Sequence, residues 1–332
     1  MAVTIKDVAR KAGVAPSTVT RVIHDSPIIS QKTKEKVREV MKEMNYYPNL
    51  NARSLASKKT SVIGLVFPDA TDAFYQNPFF PTVMRGLNEA GAKSKYSLLL
   101  TTGNDLESRF SSVQRMVHGR QVDGLIFLYA RQNDPILEFV HQQHFPMVVI
   151  GQPSIENIPF VNNRNQQMAK DATNYLLDKG AIKIGFIGGD PEQQFINDRL
   201  KGFKEALEDK HITYDDSWVF NDLSFLPEVG YDLAQYIARE QSFDAFVVAD
   251  QYVATGFKEG WKSVSDSVVP VITFHAFQSN ESPFLRMDPY VNINAHELGK
   301  GALDMLLEVI EAEDKSEEHV FQKYVDHEIV EL

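Results

Sequence analysis

The sequence predicts a mixed α/β protein, a small all-α head followed by two doubly wound parallel-sheet lobes. Three observations carry this expectation. From Ser61 onward, short apolar runs bounded by turn residues alternate with helical stretches, and the pattern restarts near Ile182. The first sixty residues read instead as short amphipathic helices. Charge divides the chain at the same place. Residues 1–60 hold twelve Lys or Arg against five acids, net +7, and the remainder hold 22 against 40, net −18, within a total of −11 over 332 residues.

Composition narrows the classes. The chain has no cysteine, which excludes a disulfide scaffold, a Cys-ligated zinc site and a thiol nucleophile. No apolar run reaches the ~18–20 residues a membrane helix needs, and the N-terminus has no hydrophobic segment to act as a secretory signal. No membrane partner and a cytoplasmic location are therefore expected. Taken whole, a net charge of −11 argues against a polyanionic partner. A basic module of +7 attached to an acidic body argues for one.

In the head, Thr4-Ile-Lys-Asp7 forms a capping-box pattern opening a helix, with Ile5, Val8, Ala9 and Ala12 on one face. Gly13 breaks that helix, and Pro16 suits the first position of a second, continuing to Ile23. Small Ala9 permits close approach, Gly13 supplies the sharp turn and Val19 plugs the shared core, which are the steric needs of a helix-turn-helix. Ser30 caps a third helix near 31–44, with Val37, Val40, Met41 and Met44 inward. An ordinary three-helix bundle meets the same packing needs, but the turn spacing together with the +7 charge points to double-stranded DNA. The second helix would then enter the major groove N-terminal end first. Pro16, Ser17 and Arg21 face base edges in that geometry, Arg21 being the natural partner of a guanine. Thr4, Thr18, Thr20, Ser30, Thr33, Tyr46 and Asn49 are placed to bond phosphates.

Pro48 ends the third helix, and Asn49 to Ala56 can make about two further turns, too short to be stable alone in water. Leu50 and Leu55 are five residues apart, so no continuous apolar stripe explains both. Leu55 reads either as a wedge between base steps in the minor groove or as a leucine of a plain linker.

Thr4-Ile-Lys-Asp-Val-Ala9, Ala12-Gly-Val14, Thr18-Val-Thr-Arg-Val22, and Tyr47-Pro-Asn49 with Ala52-Arg-Ser-Leu55 resemble the head of the lactose-repressor family of bacterial regulators. The resemblance implies a hinge helix that folds on the operator and puts Leu55 in the wedge role, as a base-reading contact. One departure is Ala15, where the family usually has a capping Ser; losing that cap costs roughly 1 kcal/mol of helix stability.

In the body, strands are expected at Val62–Phe67, Tyr96–Thr101, Val122–Leu128, Met147–Ile150, Ile182–Ile187, Ala245–Ala249 and Val269–Phe274, with helices near 80–94, 107–119 and 134–143. Continuous Val/Ile/Leu runs of this kind are buried parallel strands. Ligands of such sheets bind beyond the carboxyl ends of the strands, so two facing lobes make a cleft. Gly185-Phe-Ile-Gly188-Gly189 is neither a dinucleotide fingerprint nor a P-loop, and no nucleophile elbow or paired-carboxylate motif occurs. Glu138, His141 and His144 read as a solvated helix face rather than a metal site. The expected protein is therefore not an enzyme, with no catalytic residue, metal or cofactor.

The resemblance extends through the body, in Ile184-Gly-Phe-Ile-Gly-Gly189, Arg199-Leu-Lys-Gly-Phe-Lys-Glu-Ala-Leu207, Ala249-Asp-Gln-Tyr-Val-Ala-Thr-Gly256 and Glu297-Leu-Gly299. It implies a periplasmic-binding-protein-like body whose chain crosses between lobes near 161, 290 and 320. The expected division is a DNA-binding head at 1–45, a hinge at 46–60, a first lobe of 61–160 and 291–320, and a second lobe of 161–290 and 321–332. The extended loop Asp72–Phe80, Ile158–Asn163 and Asn292–Asn294 are similar to maltose-responsive members of that family. The resemblance implies effector contacts from Phe80, Asn162, Arg199, Asp250 and His275. Phe80 would stack on a sugar ring, and the polar set would bond its hydroxyls. Read from the residues alone, Phe80 serves equally as a core aromatic, and the lesser alternative for Arg199 is a surface ion pair.

The family commonly has Asn-Asp where this chain has Asp250-Gln251, Asp at His275, and Val-Asp-Asn at Val161-Asn162-Asn163, so acceptor carboxylates are lost or moved. The expectation is a repressor with a sugar effector, maltose or a relative. A purine effector or a phosphoprotein corepressor are alternatives, as is a bilobed solute-binding protein, which would need an export signal and no basic head. The tail after His319 is too short for the three or four heptads of a zipper and alternates like a strand, so a homodimer is expected.

Overall fold

The computed structural model describes residues 3–23, 25–47, 59–68, 77–101, 103–221, 223–276, 288–313 and 321–331. Asn49 and Leu55, and the loop from Asp72 to Gln76, lie outside them. The chain divides into a unit of Met1–Thr60 and a unit of Ser61–Leu332.

Among its described residues the first unit holds three helices, α1 (Ile5–Ala12), α2 (Pro16–Ile23) and α3 (Gln31–Glu43). Their inward faces make one core of Val8, Ala9, Ala12, Val19, Val22, Val37 and Val40. Gly13 ends α1 with φ +68°, a left-handed conformation that costs glycine nothing, and Val14 N donates to Ala9 O at 3.0 Å. The sharp turn between α1 and α2 therefore rests on the residue that the spacing singled out.

The second unit contains two six-stranded sheets. The first takes β1 (Val62–Val66), β2 (Ser97–Leu100), β3 (Gly124–Phe127), β4 (Met147–Ile150), β5 (Phe160–Asn163) and β11 (Gln322–Val325), in the order β11-β5-β4-β3-β1-β2. The second takes β6 (Ile184–Ile187), β7 (Val219–Phe220), β8 (Ala245–Val248), β9 (Val271–His275), β10 (Tyr290–Asn292) and β12 (Glu328–Val330), in the order β12-β10-β9-β8-β6-β7. Among the described strands of the two sheets, every pairing is parallel except β10 with β12. Helices cover both faces of each sheet, as parallel strands require. On the first, α4 (Phe79–Ser94) and α11 (Ala295–Glu313) cover one face, and α5 (Leu106–His118) and α6 (Pro135–Gln142) the other. On the second, α7 (Asn165–Asp178) and α8 (Gln194–Asp209) oppose α9 (Pro227–Glu240) and α10 (Gln251–Val264).

The crossings differ from the expected ones. The whole of β5 pairs in the first sheet, with β4 at Phe160 and Val161 and with β11 through Asn163, so the first crossing follows Asn163 rather than falling at 161. Tyr290–Asn292 pairs with β9, so the second follows Asn292. The tail does not enter the second lobe as one piece. Tyr324 sits beside Asn162 in the first sheet, and only Glu328–Val330 joins the second, placing the last crossing at Asp326–His327. Alternation marks the tail as strand but says nothing of which sheet edge is open to it.

Candidate functional site

The head presents the N-terminal part of α2 outward. Val19 and Val22 are fixed in the core, while Pro16, Ser17, Thr20 and Arg21 are exposed. Around that face the polar side chains order the ends of the other helices. Thr4 donates from both its N and its Oγ1 to Asp7 Oδ2, at 3.0 and 2.6 Å, which holds the Asp7 carboxyl below its ordinary range. Ser30 caps α3 by accepting from Thr33 N at 3.3 Å, and the two hydroxyls lie 2.9 Å apart. Thr20 Oγ1 donates to Pro16 O at 3.2 Å, and half-buried Tyr46 closes the C-terminal side of α3 through its N bond to Met41 O at 2.8 Å. Some of the basic charge is structural. Buried Lys34 donates to Asp25 O and pairs with its carboxylate, both at 3.0 Å, and Arg38 pairs with the same carboxylate at 2.6 Å. Asp25 sits at φ +51°, so these two cations lock a left-handed turn between α2 and α3.

In the second unit the candidate residues collect at the carboxyl ends of the strands. Arg199, on α8, is buried. Its Nη1 donates to Ala249 O at 2.8 Å and its Nε to Asn165 Oδ1 at 3.1 Å, with the guanidinium 4.0 Å over the Phe274 ring and 4.9 Å from that of Phe195. Burial lowers Arg199 to about 9, against the pull of Asp250 and Asp198, so it is charged at neutral pH. Asp250 caps α10, its Oδ1 accepting from Tyr252 N at 2.7 Å and Val253 N at 3.3 Å. Its other oxygen accepts from Asn77 Nδ2 at 3.3 Å, a bond from the first lobe to the second. Burial raises the Asp250 carboxyl to about 6, with those three hydrogen bonds and Arg199 opposing. Asn162 is buried at the end of β5, its Oδ1 accepting from Asn165 Nδ2 at 3.1 Å. A second lobe-to-lobe contact joins Arg131 to Glu192, with Arg131 also bridging Gln193.

Asn162, Arg199 and Asp250 thus form one connected group. Phe80 is half-buried at the start of α4 and packs on Phe79 at 5.2 Å and Phe67 at 6.5 Å between ring centroids. His275 lies apart. Phe274 turns toward Arg199, so the next residue along the strand faces the opposite side of the sheet. There His275 stacks on Tyr290 at 4.3 Å and lines a cavity of about 160 Å³ with Gln251, Thr273 and Lys258, and burial lowers its imidazole to about 4. Among the residues that the sequence reading missed, Asn165 links Arg199 to Asn162. Phe195 and Phe225, 6.4 Å apart, give the second lobe an aromatic wall of its own beside Arg199. The double glycine after β6 makes room for that wall, since a Cβ on Gly189 would meet the Phe225 ring at 2.5 Å.

Comparison with known proteins places this geometry. Residues 4–49 match the family model of bacterial regulatory proteins of the lacI family, and residues 60–327 that of the periplasmic binding proteins and sugar binding domain of the LacI family. The chain is 41% identical to the HTH-type transcriptional regulator MalR of Streptococcus pneumoniae over 332 residues, all of both proteins. Among solved structures, a Staphylococcus aureus "probable maltose operon transcriptional repressor malR" aligns with a TM-score of 0.73 at 20% identity, over 82% of this chain and 97% of that one. The lac repressor dimer bound to operator and an anti-inducer aligns with a TM-score of 0.82 at 21% identity, over 100% and 98%.

Proposed function

The chain belongs to the lacI family of bacterial regulatory proteins, and on that premise we propose that it is a transcriptional repressor, acting as a homodimer on double-stranded operator DNA under the control of a sugar. The observation that carries the DNA reading is the face of α2. Pro16, Ser17 and Arg21 stand exposed beside a helix locked in its core, as a recognition helix requires. Two heads on one dimer read two half-sites, so the operator is a near-palindrome. Such a regulator works on the bacterial chromosome, in the cytoplasm, without catalysing a reaction. Among the described residues no helix is long and apolar enough to cross a membrane.

The sugar site is the group at the strand ends. Arg199, Asp250 and Asn162 supply charged and amide partners for hydroxyls, and Phe80 supplies an apolar ring face. His275, on the other side of the second sheet, is assigned to the same ligand by resemblance alone. Maltose or a related glucoside is the effector proposed, from the MalR relatives. Operator and sugar select different states of one equilibrium, so each changes the affinity of the other by the same factor.

A thermal-shift screen of sugars and purines tests the effector reading. Maltose at a hundred times its dissociation constant is expected to add about 2.7 kcal/mol of stability. Stabilisation by a purine and not by maltose would replace the sugar. The operator is found by selecting bound fragments from promoter DNA. Against that operator, Arg21→Ala is expected to relax preference at one base pair per half-site, whereas a uniform loss over operator variants would make Arg21 a phosphate contact.

A further inference from the structure

A row of buried asparagines runs from the Arg199 guanidinium to all three crossings between the lobes. Arg199 Nε donates to Asn165 Oδ1 at 3.1 Å. Asn165 Nδ2 donates to Asn162 Oδ1 at 3.1 Å and leans on Asn163 O at 3.4 Å. Asn163 then sends both hydrogens of its amide to backbone at the other two crossings, to Ile293 O and to Val325 O, its register partner at the end of β11, each at 3.0 Å. Asn163 stands at the first crossing, Ile293 at the second and Val325 at the third. The second and third are tied again by Asn294, whose Nδ2 donates to Asp326 O at 2.8 Å.

Position 165 requires an amide. Its oxygen must accept from a guanidinium while its nitrogen donates to another amide oxygen. A carboxylate could only accept, and an apolar side chain would leave Arg199 Nε and Asn162 Oδ1 buried without partners. A helix start needs neither bond, since an N-terminal turn lacks partners for its backbone N–H groups, not for its side chain. Asn165 is therefore committed to Arg199 and the crossing rather than to capping its own helix.

We propose that Asn165 is a positioning residue that transmits the placement of the Arg199 side chain, through Asn162 and Asn163, to the three interlobe crossings. A ligand that draws Arg199 toward the cleft then changes the set of the hinge through one hydrogen-bonded path. This last consequence rests on the sugar reading given above, whereas the path itself does not.

Hydrogen exchange on the full-length protein without ligand separates the two. Asn165→Ala is expected to speed exchange about tenfold at 290–296 and 322–328 as well as at 160–168, because a lost buried hydrogen bond is felt wherever its partners are anchored. Asn165→Asp keeps the acceptor for Arg199 and the volume of the side chain but loses the donor. It is expected to loosen the same three segments while leaving the start of α8 protected, and it carries the test if the alanine variant does not fold. Faster exchange confined to 160–168 would overturn the proposal, as would an aspartate variant that exchanges like the parent. Maltose added to saturation is expected to slow exchange at the three crossings in the parent and not to do so in Asn165→Asp. If maltose leaves the parent unchanged, the sugar reading falls, and the ligand-free comparison still decides whether Asn165 couples Arg199 to the hinge.

Discussion

Burial holds the Asp250 carboxyl up at about 6 and the His275 imidazole down at about 4. These shifts oppose each other across one pH window. In the folded chain Asp250 keeps a proton that the unfolded chain has already lost, so its contribution is fully present below pH ~4 and is lost as pH rises through about 6. His275 stays neutral where the unfolded chain is charged, so its contribution is complete above pH ~6.5 and is lost as pH falls through about 4. Each swing is on the order of 3 kcal/mol, and in the parent they largely cancel. Single substitutions expose them. Asp250→Asn keeps a good helix cap and is expected to gain stability on the parent between pH 4 and pH 7, while His275→Gln is expected to gain as pH drops from 7 to 4. Urea denaturation at each pH measures both differences. Curves that run parallel to the parent for both variants would show that neither group is desolvated as described.

Helices that cross through glycine set the spacing of the layers on which those residues sit. Gly86 on α4 and Gly299 on α11 face each other's backbones; a Cβ would lie 2.0 Å from His296 O in the first case and 2.1 Å from Val83 O in the second. Gly202 makes the same kind of approach to Gln166 O on α7, and Gly256 to Pro227 O on α9. Backbone cannot yield as a side chain can, so Gly299→Ala is expected to cost about 1–3 kcal/mol. Gly301, two residues on, meets only the flexible end of Lys323, at 3.3 Å. Gly301→Ala is therefore expected to be neutral or to stabilise by up to ~1 kcal/mol through helix propensity. Denaturant midpoints that fall equally for both would refute the crossing argument. Glu297-Leu-Gly299 was legible in the sequence as a resemblance, but its physical reason needed the partner helix. The strands divide the same way. Met147–Ile150 is apolar and buried throughout, and it could be read directly. Phe160–Asn163 and Tyr290–Asn292 were missed because they end in asparagines that serve the crossings, which interrupts the apolar run. Val219–Phe220 is a two-residue edge, too short to leave a pattern.

Over the whole molecule, the sequence could name Arg199 and Asp250 but not Asn165, whose role depends on carbonyls 130 and 162 residues beyond its neighbour Asn163. Charge, by contrast, was legible at full length, and it governs how the protein meets DNA. Twelve cations lie in residues 1–60, yet Lys34 and Arg38 are held by Asp25, and Lys11 by Glu43 at 2.9 Å. These three cations share two carboxylates, so part of the positive charge of the head is already paired and releases fewer counterions. If each head of a dimer neutralises about four phosphates, the logarithm of affinity falls against the logarithm of salt with a slope of roughly −7. If only the heads touch phosphate, the acidic body adds nothing to that slope, since charges farther than a Debye length from phosphate are screened. Lys34→Met is accordingly expected to destabilise the head while leaving the slope within ~1 of the parent. Glu240→Gln and Glu311→Gln, exposed on the body, are expected to leave it unchanged. Fluorescence anisotropy on a selected operator between 50 and 300 mM salt, about the span over which such slopes are read, measures all three. A slope shallower than about −3, or one that moves with the body substitutions, would mean that contacts other than those of the basic head dominate binding.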